Sequence, residues 1–170
     1  PLQPHVFQLP LRRMMALIHD RKRHDWKLGT ERDDGLQRRD PTLENPTSDK
    51  KWFFHQKLLT FWDLVKTHGL DTSQYADMLR ANDSILRGAI STVVPYIEAL
   101  DEQLPGYAFK RNFMGSNHVL RLIVDDPPAL TEKLEVATEH TDQAFCSLHI
   151  WESRPEFQWY NEMTQTWEHV

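Results

Sequence analysis

The run from Ser73 to Leu104 constrains this chain more than any other stretch. Tyr75, Met78 and Leu79 open an apolar face. Ile85, Leu86, Ala89, Ile90, Val93, Val94, Ile97, Leu100 and Leu104 continue it at spacings of three and four. That is the period of a helix with one buried side. Asp71, Thr72 or Ser73 can cap its start. Pro95 predicts a kink or break, and Pro105-Gly106 predicts its end. After Gly106 the pattern changes. "HVLRLIVDD" is β-branched and apolar and is closed by Pro127-Pro128, "AFCSLHIW" alternates, and "EFQWYN" with "TWEHV" forms a hairpin pair around "NEMTQ". Helices followed by short, mainly antiparallel strands predict an α+β domain with a β-sandwich or barrel.

Ahead of the long helix, residues 8–18 carry Leu11, Met14, Met15, Leu17 and Ile18 at helical spacing, with Pro10 in the first turn. From His19 to Lys51, nine Lys/Arg stand against eight Asp/Glu, punctuated by Gly29, Gly35, Pro41 and Pro46. With almost no apolar periodicity, this segment predicts a long loop, of the kind that serves as a mobile cover. "DRKRH" lies within it, cancelled as a basic patch by its acidic surroundings. "SDKKWFFHQ" is too aromatic to leave in water and predicts a segment docked on a core, with one aromatic at a pocket mouth as the sharper reading.

A chain of 170 residues suits one domain, spanning 1–170, with a mainly helical and loop part over 1–106 and a strand part over 107–170. The net charge of −5 argues against nucleic acid as a general partner, and no apolar run approaches a membrane span. The opening "PLQPHVFQLPLRR" has no apolar segment of signal-peptide length. A single cysteine, Cys146, fits a cytoplasmic protein without internal disulfides. Its apolar setting predicts a buried structural thiol rather than a reactive one.

"TEHTDQAFCSLHIW" sets His140 and Asp142 two residues apart. On a strand, such residues share a face. A neutral imidazole beside a carboxylate supplies two positions of a 2-His-1-carboxylate facial triad, which holds Fe(II) and leaves its other positions open. The same pair also fits a solvated loop end.

The surrounding motifs widen the reading. Leu120-Arg121 in an apolar strand, His140-Thr141-Asp142, Ser147-Leu148 in the strand after it, Phe157-Gln158 and Trp167 to Val170 in a hairpin follow one another in order. So arranged, the chain resembles the 2-oxoglutarate/Fe(II)-dependent dioxygenase superfamily, in its isopenicillin N synthase-like branch, from about Phe7 to Val170. "RRDPTLENPTSDKKWFFHQ" is similar to that family's connection ahead of its scaffold helices. The resemblance implies a double-stranded β-helix, or jelly-roll, core behind N-terminal scaffold helices. It implies that His140 and Asp142 ligate Fe(II), with 2-oxoglutarate as cosubstrate and ascorbate allowed. Dioxygen then converts the cosubstrate to succinate and CO2 while a small-molecule substrate is hydroxylated, desaturated or cyclised, in secondary-metabolite biosynthesis. Arg121 and Phe145 become substrate-side residues, although a structural salt bridge serves Arg121 equally well.

The chain departs from that pattern in several places. The family's second histidine and its cosubstrate arginine lie beyond the equivalent of Val170, and its opening strand is absent, so the resemblance implies a core incomplete at both ends. His169 falls in the hairpin, and His149 and His118 fit hydrogen-bonded structural histidines better than a third ligand. Asp125-Asp126 stand where the family has a tyrosine before proline. The alternatives are a non-catalytic binding or scaffold domain that kept the fold, a 2-oxoglutarate-independent oxidase of the same branch, and a cupin, whose paired histidines this chain does not show.

Overall fold

The computed structural model describes residues 5–28, 34–39, 51–125, 146–152 and 158–169. In chain order they form α1 (His5–Ile18), a 3-10 turn (Arg23–Trp26), β1 (Lys27–Leu28), β2 (Asp34–Arg39) and β3 (Lys51–Lys57). Then come α2 (Phe61–Thr67), a second 3-10 turn (Ser73–Tyr75), α3 (Ala76–Gln103), α4 (Phe109–Met114), β4 (Val119–Asp125), β5 (Gln158–Asn161) and β6 (Thr166–His169). This is an α+β arrangement of two antiparallel sheets, one ordered β1-β2-β3-β4 and the other β5-β6. Among the described residues no sheet closes into a barrel, and no helix is long and apolar enough to cross a membrane.

The aromatic run at β3 decides the layering. Phe54 is fully buried, with Trp26 at 6.1 Å and Phe61 at 6.0 Å between ring centres. Leu36 and Leu122 stand opposite it on β2 and β4. These residues form the helix side of the sheet, with Met14 and Leu17 of α1 and Met78, Leu79, Ile85 and Leu86 of α3 in the same core. One polar seam crosses that core. Asn82 donates through Nδ2 to Gln56 Oε1 at 3.0 Å, and Gln56 Nε2 donates to the Leu79 carbonyl at 3.1 Å and to Asp83 Oδ1 at 2.7 Å. These bonds satisfy the Gln56 amide and tie α3 to β3, while Asn82 Oδ1 is buried without a hydrogen-bond partner among the described residues.

Several expectations are corrected. First, part of the charged segment after His19 is sheet rather than loop. "DGLQRR" forms β2, with Asp34, Gly35 and Leu36 buried. Asp34 accepts the Lys57 N–H at 2.9 Å and the Thr60 hydroxyl at 3.1 Å. Gly35 has φ +80°, and a Cβ there would lie 1.9 Å from the Trp26 carbonyl oxygen. The strand therefore needs glycine at this point, where sequence reading sees a loop signal.

Second, Pro95 does not break α3, which runs on to Gln103. The proline forfeits one backbone hydrogen bond, but Ala89 before it and Ile97 after it are both buried. Packing on each side offsets that local cost. Likewise Pro10 lies inside α1, which starts at His5, and not in its first turn. Third, the segment after Gly106 begins with a helix, α4. Asp101 accepts the Phe109 and Lys110 N–H groups at 2.6 and 2.9 Å, satisfying two donors at the helix start. Fourth, Cys146 to Glu152 forms no strand. Ile150 and Trp151 dock on the core instead, Trp151 stacking on Phe7 at 6.0 Å, and Cys146 is exposed rather than buried. The hairpin β5-β6 forms where the sequence places it, pairing Gln158 with His169 and Asn161 with Thr166.

Candidate functional site

The side of the sheet away from the helices gathers several charged side chains around one aromatic ring. Alternation puts Gly35, Gln37 and Arg39 of β2, Lys51, Phe53, His55 and Lys57 of β3, and Val119, Arg121 and Ile123 of β4 on one face. Register arranges them in rows: Gly35–His55–Arg121, then Gln37–Phe53–Ile123, then Arg39–Lys51–Asp125. The middle row is largely apolar and the rows on either side are cationic.

Phe53 is the centre of this face. The Arg121 guanidinium lies 5.6 Å from its ring centre, and the Arg39 guanidinium and the Lys51 ammonium each lie 5.7 Å away. The His55 ring is also 5.7 Å away. Each cation meets the ring within cation–π range. Arg121, expected at a substrate side or in a salt bridge, thus meets Phe53 on an exposed part of this face. Lys51 and His55 are buried. The sequence carries a signal for these partners in the alternation of Lys51, Phe53, His55 and Lys57.

His140, Asp142 and Phe145 lie outside the described residues, as do Thr141 and Asp126. Among the described residues there is no group of three or more His, Cys, Asp or Glu that could hold a metal ion. His149 Nε2 lies 3.7 Å from Glu152 Oε2, and His169 Nε2 lies 3.0 Å from Gln158 Nε2. The His118 ring packs at 4.4 Å from Phe113, and its Nε2, expected to hydrogen-bond, is buried without a hydrogen-bond partner among the described residues.

A second feature went unseen in the sequence. A polar cleft of about 430 Å3 lies between the segment around the first 3-10 turn and the connection that leads from α2 through the second 3-10 turn, lined by residues that include Asp20, His24, His68, Asp71 and Tyr75. The Tyr75 hydroxyl donates to Asp20 Oδ2 at 2.7 Å, and Asp20 Oδ1 accepts the Lys22 N–H at 2.8 Å. The Lys22 N–H, and after it the Tyr75 hydroxyl, hold the Asp20 carboxyl below its usual range. Burial, and after it the bond to Asp20, pushes the Tyr75 hydroxyl up to about 12.

The signs follow from linkage. The contribution of neutral Tyr75 is complete below the ordinary tyrosine range and is lost as pH rises through about 12. That of ionised Asp20 is lost as pH falls below the ordinary carboxylate range. In an ultraviolet titration of the four tyrosines, one is expected to ionise well after the others, and Tyr75→Phe is expected to remove that late step. A single step shared by all tyrosines would refute the pairing.

No family model matches the chain, and neither a curated protein nor a solved structure matches it.

Proposed function

We propose that this chain belongs to a non-haem Fe(II)/2-oxoglutarate-dependent oxygenase that oxidises a small molecule, built on a jelly-roll core. The observation that carries the reading is the His140-Thr141-Asp142 motif, lying in sequence between an antiparallel strand with Leu120-Arg121, β4, and the hairpin β5-β6. The long scaffold helix α3 ahead of them adds support.

The donor set suits the metal. A neutral imidazole and a carboxylate bind Fe(II) on one side and leave open positions opposite. When bound, the iron would supply dioxygen activation coupled to decarboxylation of 2-oxoglutarate. His140 and Asp142 would hold it, and the cationic face around Phe53 would orient an organic substrate. Hydroxylation, desaturation and ring closure are all within reach of such a site.

The test is coupled turnover. The intact protein, given Fe(II), 2-oxoglutarate and air, is expected to release succinate in step with oxygen uptake. Oxygen uptake that proceeds equally without 2-oxoglutarate would assign the chain to the oxidase variant. No uptake by protein that retains its iron would assign it to a binding domain.

A further inference from the structure

The rows around Phe53 form a recognition surface whose chemistry can be read without reference to iron. Arg39 and Arg121, both exposed, reach one aromatic ring at 5.7 and 5.6 Å, so they stand no further apart than about twice that distance. In the register of the described strands Asp125 stands opposite Lys51. Like charges gathered this closely raise the potential of the face and favour an anion there.

The spacing limits what kind of anion fits. Successive rows are two residues apart along a strand, about 7 Å at the usual rise. A cationic row therefore lies one such step to either side of the apolar row formed by Phe53 and Ile123. An extended polyanion would call for a longer cationic track than three rows. A small molecule with a carboxylate at one end and an apolar body matches the pattern. The carboxylate would meet the Arg121 guanidinium, a fork of donors suited to two-point contact, and the body would lie along Phe53 and Ile123.

We infer that this face of the β2-β3-β4 sheet binds a small carboxylate with an apolar body. The inference deepens the oxygenase reading by naming its substrate class, but binding is measured without iron or 2-oxoglutarate, so the two can fail separately.

Phenylpropionate and its uncharged amide, phenylpropionamide, are suitable probes, titrated calorimetrically into the intact protein. The acid is expected to bind about tenfold more tightly than the amide, the scale of one charge-assisted contact. Arg121→Gln is expected to remove most of that preference, Arg121→Lys to keep part of it, and Arg12→Gln, on exposed α1, to leave it unchanged. Arg39→Gln should reduce it as well. Added salt should weaken the acid and not the amide. Equal binding of acid and amide by the unaltered protein would overturn the inference. So would an acid preference that survives both Arg121→Gln and Arg39→Gln in folded protein. Tight acid binding by a protein that shows no coupled turnover would uphold the surface and reject the oxygenase reading.

Discussion

Asp142→Ala in the intact protein is expected to abolish product formation, by about a hundredfold or more, while circular dichroism stays that of the unaltered protein. Losing even an outer partner of a metal ligand costs about ten- to a hundredfold in affinity or activity, and removing a ligand outright should cost more. Asp142→Asn keeps the shape and removes the charge, so it should also bind iron poorly, because Fe(II) at such a site needs the ionised carboxylate. His140→Ala should behave like Asp142→Ala. Acidification should weaken iron binding as His140 takes up a proton, the neutral imidazole being the ligand. Iron content and product formation are measured side by side. Full iron occupancy with normal turnover in Asp142→Ala would sink the assignment and leave "EHTDQ" as an ordinary polar segment.

The largest loss of stability is expected from Phe54→Ala. Phe54 is fully buried on the helix side of β3, between Trp26 and Phe61. Deleting a buried phenyl ring costs about 3–5 kcal/mol, combining lost transfer energy with the cavity left behind. Phe53 is its neighbour in sequence but lies half-buried on the opposite face. Phe53→Ala should therefore cost far less, and it should impair carboxylate binding instead. Urea unfolding followed by tryptophan fluorescence separates the two, read from the midpoint at unchanged slope. Equal losses from both substitutions would contradict the two-faced sheet.

These expectations differ in how much of them the sequence alone could supply. The strand β4, the helical character of α3 and the β5-β6 hairpin were legible because each rests on local periodicity, whereas β3 showed in the sequence only as an aromatic segment docked on a core. Leu120 and Leu122 point inward and Arg121 and Ile123 outward for the same reason that any strand alternates. The strand β2 was not legible. "DGLQRR" is polar and starts with a turn signal, and it becomes a strand only by pairing with β3. The helix α4 was hidden in the same way, since the carboxylate at its start, Asp101, comes from the end of the preceding helix. Cys146 stands in a run that alternates like a strand, but the described part of that run has no ladder partner. At the candidate site, Arg121 and Phe53 could each be assigned a face from sequence. Their convergence depended on a register between β3 and β4 that no short stretch encodes. His140 and Asp142 rest on motif and resemblance.

That same register has a consequence for how the chain reaches its native state. Lys57 pairs with Val119, and α2, α3 and α4 all lie between them in sequence. Closing the β3-β4 ladder therefore means bringing together strands at the two ends of a long helical excursion, and the entropy of that closure is lost before the ladder returns any of it. Helices form fast from local contacts, so α3 can assemble early and shorten the effective gap. Until β4 arrives, the edge of β3 that bears Phe53 and Phe54 is open to any other strand in reach, and such edges are where chains associate with one another. During synthesis the ribosome delivers β3 well before β4, so this protein spends the interval with its most aromatic strand half paired. A chaperone that shields one short aromatic edge would cover the vulnerable step.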